Sequence, residues 1–232
     1  MERKKIGKLT CDYAGIGSSR ICYLLVPLAL DGRRIEQWAV QYGYNMVVIH
    51  GMDWDNDLTP WTAPGILPED ADFRGAAGEF LTLLHSNVIP EMERRIGIGS
   101  PEFPTERTLI GVSLSGLFAL WAWMNCDDFT NIGSISGSFW YDGFPEWLSR
   151  RETVHKPGYA YFSLGDLEGK AGNPRFSTVR TDTVQVVDTL CRAGIRTMFE
   201  QTSGTHFAPI YPRLEKLYHG FVKLSGNKDA KS

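Results

Sequence analysis

The sequence predicts an α/β protein, with a mostly parallel central sheet and helices on both of its faces. Three observations lead there. Short apolar runs alternate with longer stretches in which apolar residues recur every three or four positions. The clearest runs end at Gly or at Ser followed by Gly, as strands do where the chain must turn. The runs are also close to continuously hydrophobic, which suits strands covered on both faces.

The elements follow in chain order. Residues 21–27 (ICYLLVP) read as an early strand, and Asn45–His50 (NMVVIH) as the first clear one. Residues 79–96 form a helix whose buried stripe is Phe80, Leu81, Leu83, Leu84, Val88, Ile89, Met92 and Ile96, with a kink expected at Pro90. Residues 108–112 (TLIGV) are a strand, and 115–124 a short, almost wholly apolar helix that must be buried. Strands over 132–135 (IGSI) and 159–164 (YAYFSL) come next. A helix over 177–192 carries Val179, Val184, Val187 and Leu190 and stops at Gly194. A strand over 196–201 (RTMFEQ) and a helix over 207–224 complete the series.

Composition sets the outer limits. A chain of 232 residues with 43% hydrophobic and 22% charged residues is a globular protein, and disorder is excluded. The expectation is one domain over 1–232, with 225–232 a frayed tail. A net charge of −3 speaks against a nucleic-acid partner. The four cysteines, Cys11, Cys22, Cys126 and Cys191, form no CxxC pair, so they are expected as small buried apolar residues without a metal. No apolar stretch reaches the ~20 residues of a membrane span. The first apolar run contains Pro27 and lacks signal-peptide flanks, so the expected protein is unprocessed and cytoplasmic.

The segment that carries chemistry is TLIGVSLSGLFAL, residues 108–120. A strand enters Gly111-Val112-Ser113-Leu114-Ser115-Gly116 and leaves directly as a helix. This is the layout of a nucleophile elbow, in which a sharp turn exposes a serine under a helix N-terminus. Small residues must stand two positions either side of that serine, and Gly111 and Ser115 meet the demand. The Leu114 N–H and the helix dipole then face any oxyanion. The plainer alternative is a glycine-rich turn with no chemistry.

A serine nucleophile needs a base, and the base an orienting acid, following in the order serine, acid, histidine. Of five histidines, His206 lies after the last strand and before the last helix, where such a base belongs. His85 and His219 fall within helices, His155 in a loop, and His50 ends a strand. The loop after the 159–164 strand offers two acids, Asp166 and Glu168, of which only one can hold the imidazole. Asp166 follows Gly165 directly and suits the turn, whereas Glu168 has the longer reach. The HG pair at His50-Gly51 is where a second oxyanion N–H is found, from Met52 or Asp53. Trp54, Trp61, Phe139, Trp140, Tyr141 and Phe144 gather near strand ends. They line a substrate pocket, with Trp54 and Trp140 foremost, or else pack the core.

On these residues the chain resembles the putative-esterase branch of the α/β-hydrolases, which includes esterase D-type enzymes, feruloyl esterases and trilactone siderophore esterases. The likeness runs through HGMDWDNDLTPW (50–61), DFRGAAGEFLTLLHSNVIPEME (72–93), GVSLSGLFALWA (111–122), SISGSFWYDGF (134–144), FSLGDLEGKAGNPRF (162–176) and SGTHF (203–207). The resemblance implies Ser113 as nucleophile, His206 as base and Glu168 as acid; some relatives manage with Ser and His alone. Ser115 in place of glycine departs from the family pattern. The implied activity is hydrolysis of a small-molecule carboxylic ester through an acyl-enzyme, with no cofactor, no metal, no membrane and a homodimer as the candidate assembly. A non-catalytic binding module of the same fold and an acyltransferase using the same serine are the alternatives.

Overall fold

The computed structural model describes residues 1–99, 105–151, 156–170 and 173–226. In chain order they form β1 (Glu2–Ile6), β2 (Leu9–Ala14), β3 (Arg20–Leu25), α1 (Gly32–Tyr42), β4 (Asn45–His50), α2 (Ala77–Leu83), α3 (Ile89–Ile96), β5 (Glu106–Val112), α4 (Leu114–Asn125), β6 (Asn131–Ile135), α5 (Phe144–Ser149), β7 (Tyr159–Gly165), α6 (Val179–Arg192), β8 (Arg196–Thr202) and α7 (Ile210–Gly226). The strands join in one sheet, in the order β1-β2-β4-β3-β5-β6-β7-β8. From β4 through β3 and β5 to β8 every neighbouring pair is parallel, while β1 and β2 are antiparallel additions at one edge.

Side chains alternate across the sheet, so each strand feeds two cores. Ile21, Tyr23 and Leu25 face one side with Leu109, Ile132 and Phe162, under α2, α3, α4, α5 and α6. Cys22, Leu24, Met46, Val48 and Ile110 face the other, under α1 and α7. The expected helix over 115–124 is α4. Apart from Trp121 and Asn125 it is buried throughout, because it packs on β5 and β6 with α2 alongside.

Several elements lie beyond what the pattern suggested. β1 is an edge strand with charged side chains and a largely exposed surface, so it has no apolar run to announce it. α1 opens on Asp31, whose carboxylate accepts from the Arg33 N–H at 3.0 Å, and closes at Gly43 with φ 71°. α5 is only six residues long. The expected kink at Pro90 takes the form of a π turn over Leu84–Val88, just before it. Proline lacks an N–H and its ring crowds the carbonyl four residues back, and the wider turn relieves both problems. Of the cysteines, Cys11 and Cys22 are buried, Cys126 is half-buried, and Cys191 is exposed near the end of α6, against expectation. Burial pushes the Cys11 and Cys22 thiols up to about 12. His155 and residues 227–232 of the expected tail lie outside the described residues.

Parallel pairing brings the carboxyl ends of β4, β5, β6, β7 and β8 to one edge of the sheet. The segments leaving that edge carry every residue the sequence singled out for chemistry.

Candidate active site

The site starts with a backbone constraint. Ser113 has φ 59° and ψ −124°, outside the ordinary regions for a residue with a side chain. Its N–H donates to the Ile135 carbonyl at 2.9 Å, and its own carbonyl accepts from Ser138, Gly116 and Leu117. The neighbourhood admits only small residues. A Cβ on Gly111 would stand 1.9 Å from the Ser115 carbonyl oxygen, so glycine is compulsory there. Ser115 is not an impairment of the elbow: its hydroxyl lies 2.8 Å from the Leu25 carbonyl and accepts from the Val112 N–H at 2.7 Å. It ties the turn to the end of β3.

The loops after β7 and β8 are bound to each other. Asp166 Oδ1 accepts from the Gly204 N–H at 2.8 Å, and the Leu167 N–H donates to the Gly204 carbonyl at 3.1 Å. A Cβ on Gly165 would meet that same carbonyl at 2.3 Å, so the close approach requires glycine. This bracing sets His206 against Ser113. Its Nε2 is 3.0 Å from Ser113 Oγ, and its Nδ1 is 2.9 Å from Glu168 Oε2. Of the two acids, Glu168 reaches the ring, while Asp166 shapes the turn.

Glu168 is 3% exposed. Burial pushes its carboxyl upward, but hydrogen bonds from His206, Ser136 and the Gly165 N–H outweigh that, and the net result lies below the ordinary carboxylate range. The group is therefore ionised near neutrality and can only accept. His206 Nδ1 must then carry the hydrogen, which leaves Nε2 free to accept from Ser113. The second oxygen, Oε1, is held by the Gly165 N–H at 2.7 Å, by the Ser136 hydroxyl and by Arg213 Nη2 at 3.4 Å.

Leu114 opens α4, so its N–H belongs to the helix's first turn and has no intrahelical partner. In the HG loop the Asp53 N–H donates to Asp57 Oδ2 at 2.9 Å, which removes it as an oxyanion donor. The Met52 N–H has no protein acceptor among the described residues. His50, at the end of β4, faces Asp12 Oδ2 at 3.3 Å. His85 pairs with Asp128 on the surface, and His219 lies beside Tyr42.

A cavity of about 260 Å³ opens over Ser113. Trp54 and Trp140 line it, as the sequence suggested, together with Ile66, Phe176, Val179 and Phe207. Phe207 is 91% exposed at the rim. The remaining aromatics divide differently: Phe139, Tyr141 and Phe144 are core residues, and Trp61 stacks on Phe144. Ser138 also lines the cavity, with its hydroxyl 3.3 Å from Ser113 Oγ.

Sequence reasoning missed Arg213 and Ser136. A signal for the first was present: Ile210, Leu214, Leu217, Phe221 and Leu224 form the apolar stripe of α7, and Arg213 lies on it. Ser136 had none, since its meaning lies in a backbone φ of 49°. Among the described residues no group of three His, Cys, Asp or Glu side chains converges to hold a metal ion, and no helix is long and apolar enough to cross a membrane.

Comparisons with known proteins extend this picture. No family model matches the chain. A curated relative, Uncharacterized protein YbbA of Bacillus subtilis (strain 168), is 34% identical over 134 residues, covering 53% of this chain and 50% of the relative. The chain thus spans about half the length of the curated relative it matches. Among solved structures, an IroE-like serine hydrolase from Shewanella oneidensis superposes with a TM-score of 0.69 at 17% identity, over 95% of this chain and 79% of that one. The siderophore hydrolase EstB from Aspergillus nidulans gives 0.65 at 16% identity, over 95% and 92%. The sheet order, the strained serine between β5 and α4, and these superpositions lead to one conclusion about architecture: the chain has the α/β-hydrolase fold.

Proposed function

We propose that the protein is a serine hydrolase that cleaves a small-molecule carboxylic ester through an acyl-enzyme. One observation carries the reading: Ser113 Oγ, His206 and Glu168 stand in a continuous hydrogen-bonded line, at 3.0 Å and 2.9 Å. Ser113 Oγ attacks the ester carbonyl carbon while its proton passes to His206 Nε2. Glu168 holds Nδ1–H and stabilises the imidazolium that forms. The N–H groups of Leu114 and Met52 take the charge that develops on the carbonyl oxygen. The bond to the alcohol breaks, and the proton on Nε2 leaves with the alkoxide. Water then enters, gives a proton to Nε2 and attacks the acyl carbonyl. That proton returns to Ser113 Oγ as the acid departs.

The apolar, aromatic wall of the cavity suits an apolar or aromatic acyl group, because its burial contributes about 25 cal/mol per Å² removed from water. The test is turnover of p-nitrophenyl butyrate by wild type and by Ser113→Ala. Loss of roughly 10⁶-fold in kcat with an intact fold is expected. Wild-type turnover by Ser113→Ala refutes the assignment. Product partitioning with an added alcohol separates hydrolysis from acyl transfer, since a transferase gives mostly the new ester.

A further inference from the structure

Arg213 is a charged side chain on the apolar stripe of α7, and it is 5% exposed. Burying a guanidinium costs several kcal/mol unless it is paired and well hydrogen-bonded, and an apolar residue of similar size would serve the core as well or better. Its partners all belong to the site. Nη1 donates to the backbone carbonyl of His206 at 3.3 Å. Nη2 reaches the Ser136 hydroxyl and Glu168 Oε1, the latter at 3.4 Å. Ser136 in turn donates to Glu168 Oε1, from a backbone conformation that L side chains rarely adopt.

We propose that Arg213 is a positioning residue for ester hydrolysis, clamping the His206 loop and Glu168 into one rigid unit through a single planar guanidinium. The proposal rests on the catalytic reading of Ser113, His206 and Glu168. Its logic is geometric. Oε1 is occupied by Ser136, the Gly165 N–H and Arg213, so the carboxylate cannot rotate, and Oε2 stays aimed at Nδ1. The same fork fixes the main chain of the residue whose ring must be aimed. Two acceptors on two loops require two N–H groups in a fixed plane, which lysine does not possess.

The experiment compares Arg213→Met and Arg213→Lys with wild type on p-nitrophenyl butyrate, with rates expressed per serine titrated by a fluorophosphonate. Both variants are expected to lose about 10- to 100-fold in kcat, because misplacement of a catalytic group by about 1 Å costs that much, with KM little changed. Wild-type kcat per titrated serine in both variants, whatever their melting temperature, overturns the proposal and leaves a structural residue. Ser113→Ala, run alongside, isolates the underlying reading: if it retains turnover, that reading fails independently of Arg213.

Discussion

Two serines in this molecule share a positive φ and use it in opposite ways. Ser113 follows β5 and Ser136 follows β6, with φ of 59° and 49°. They leave neighbouring parallel strands at the same edge of the sheet, and the Ser113 N–H is bonded to Ile135, the residue before Ser136. Ser113 is half-buried and turns its hydroxyl to His206 and the cavity. Ser136 is 1% exposed and turns its hydroxyl inward, between Glu168 and Arg213. A strained residue at a strand end can present a reacting group or anchor the groups behind it, and the cost in each case is about 1–3 kcal/mol. The difference lies in what the next residues do. After Ser113 the chain enters α4, which leaves the hydroxyl under a helix N-terminus. After Ser136 it turns through Gly137 and back across Ser113 via Ser138.

The largest expected effect tests whether the anchored side supports the presenting side. Glu168→Gln should lower kcat by roughly 10⁴-fold, because an amide does not enforce the same imidazole tautomer. A mild effect would mean that Ser113 and His206 work without the acid. The next test breaks the comparison directly. Ser113→Gly and Ser136→Gly both relieve a positive φ. Ser113→Gly should raise stability by about 1 kcal/mol, since its hydroxyl supports little structure. Ser136→Gly removes a hydroxyl that serves two buried charged groups, a loss of about 1–3 kcal/mol that cancels or exceeds the gain. Melting temperatures that shift together, in sign and size, would dissolve the distinction between the two serines.

Asp166→Asn probes the neighbouring acid. It should cost about 1 kcal/mol or less in stability through the bond to the Gly204 N–H, with kcat close to wild type. A large loss of kcat would move the orienting role to Asp166. The smallest effect is on pH. The Glu168 carboxyl is lower in the folded protein than in the unfolded chain. Such a group contributes stability that is present above the unfolded value and is lost as pH falls through the folded one. Wild type should therefore lose stability on acidification below the ordinary carboxylate range more steeply than Glu168→Gln does, as read from melting temperature against pH.

The sequence made part of this legible. Strands β3 to β7 were readable because parallel strands buried on both faces leave apolar runs, and the bounds of β4 coincide with its run; β8, at the other edge of the sheet and only half-buried, carries a broken run instead. The edge hairpin β1–β2 was not, because β1 is charged and exposed, and Asp12 in β2 is paired with Arg3 across the strands. The placement of Ser113, His206 and Glu168 at one edge could be read from chain order, since each follows a parallel strand. Arg213 could not be weighed from sequence alone, because one arginine on an apolar stripe gains meaning only when its neighbours are Glu168 and the His206 carbonyl. Met52 and Asp53 stood equal until the bond from the Asp53 N–H to Asp57 separated them. Phe207 gave no sign of lying exposed at the cavity rim.

The central claim is that Ser113, held in its strained turn, is the group that reacts. The most direct measurement is peptide mapping by mass spectrometry after labelling with a fluorophosphonate. One adduct is expected, on the peptide containing Ser113, absent from Ser113→Ala and formed far more slowly in Glu168→Gln. An adduct on another residue, or no adduct on wild-type protein, would contradict it.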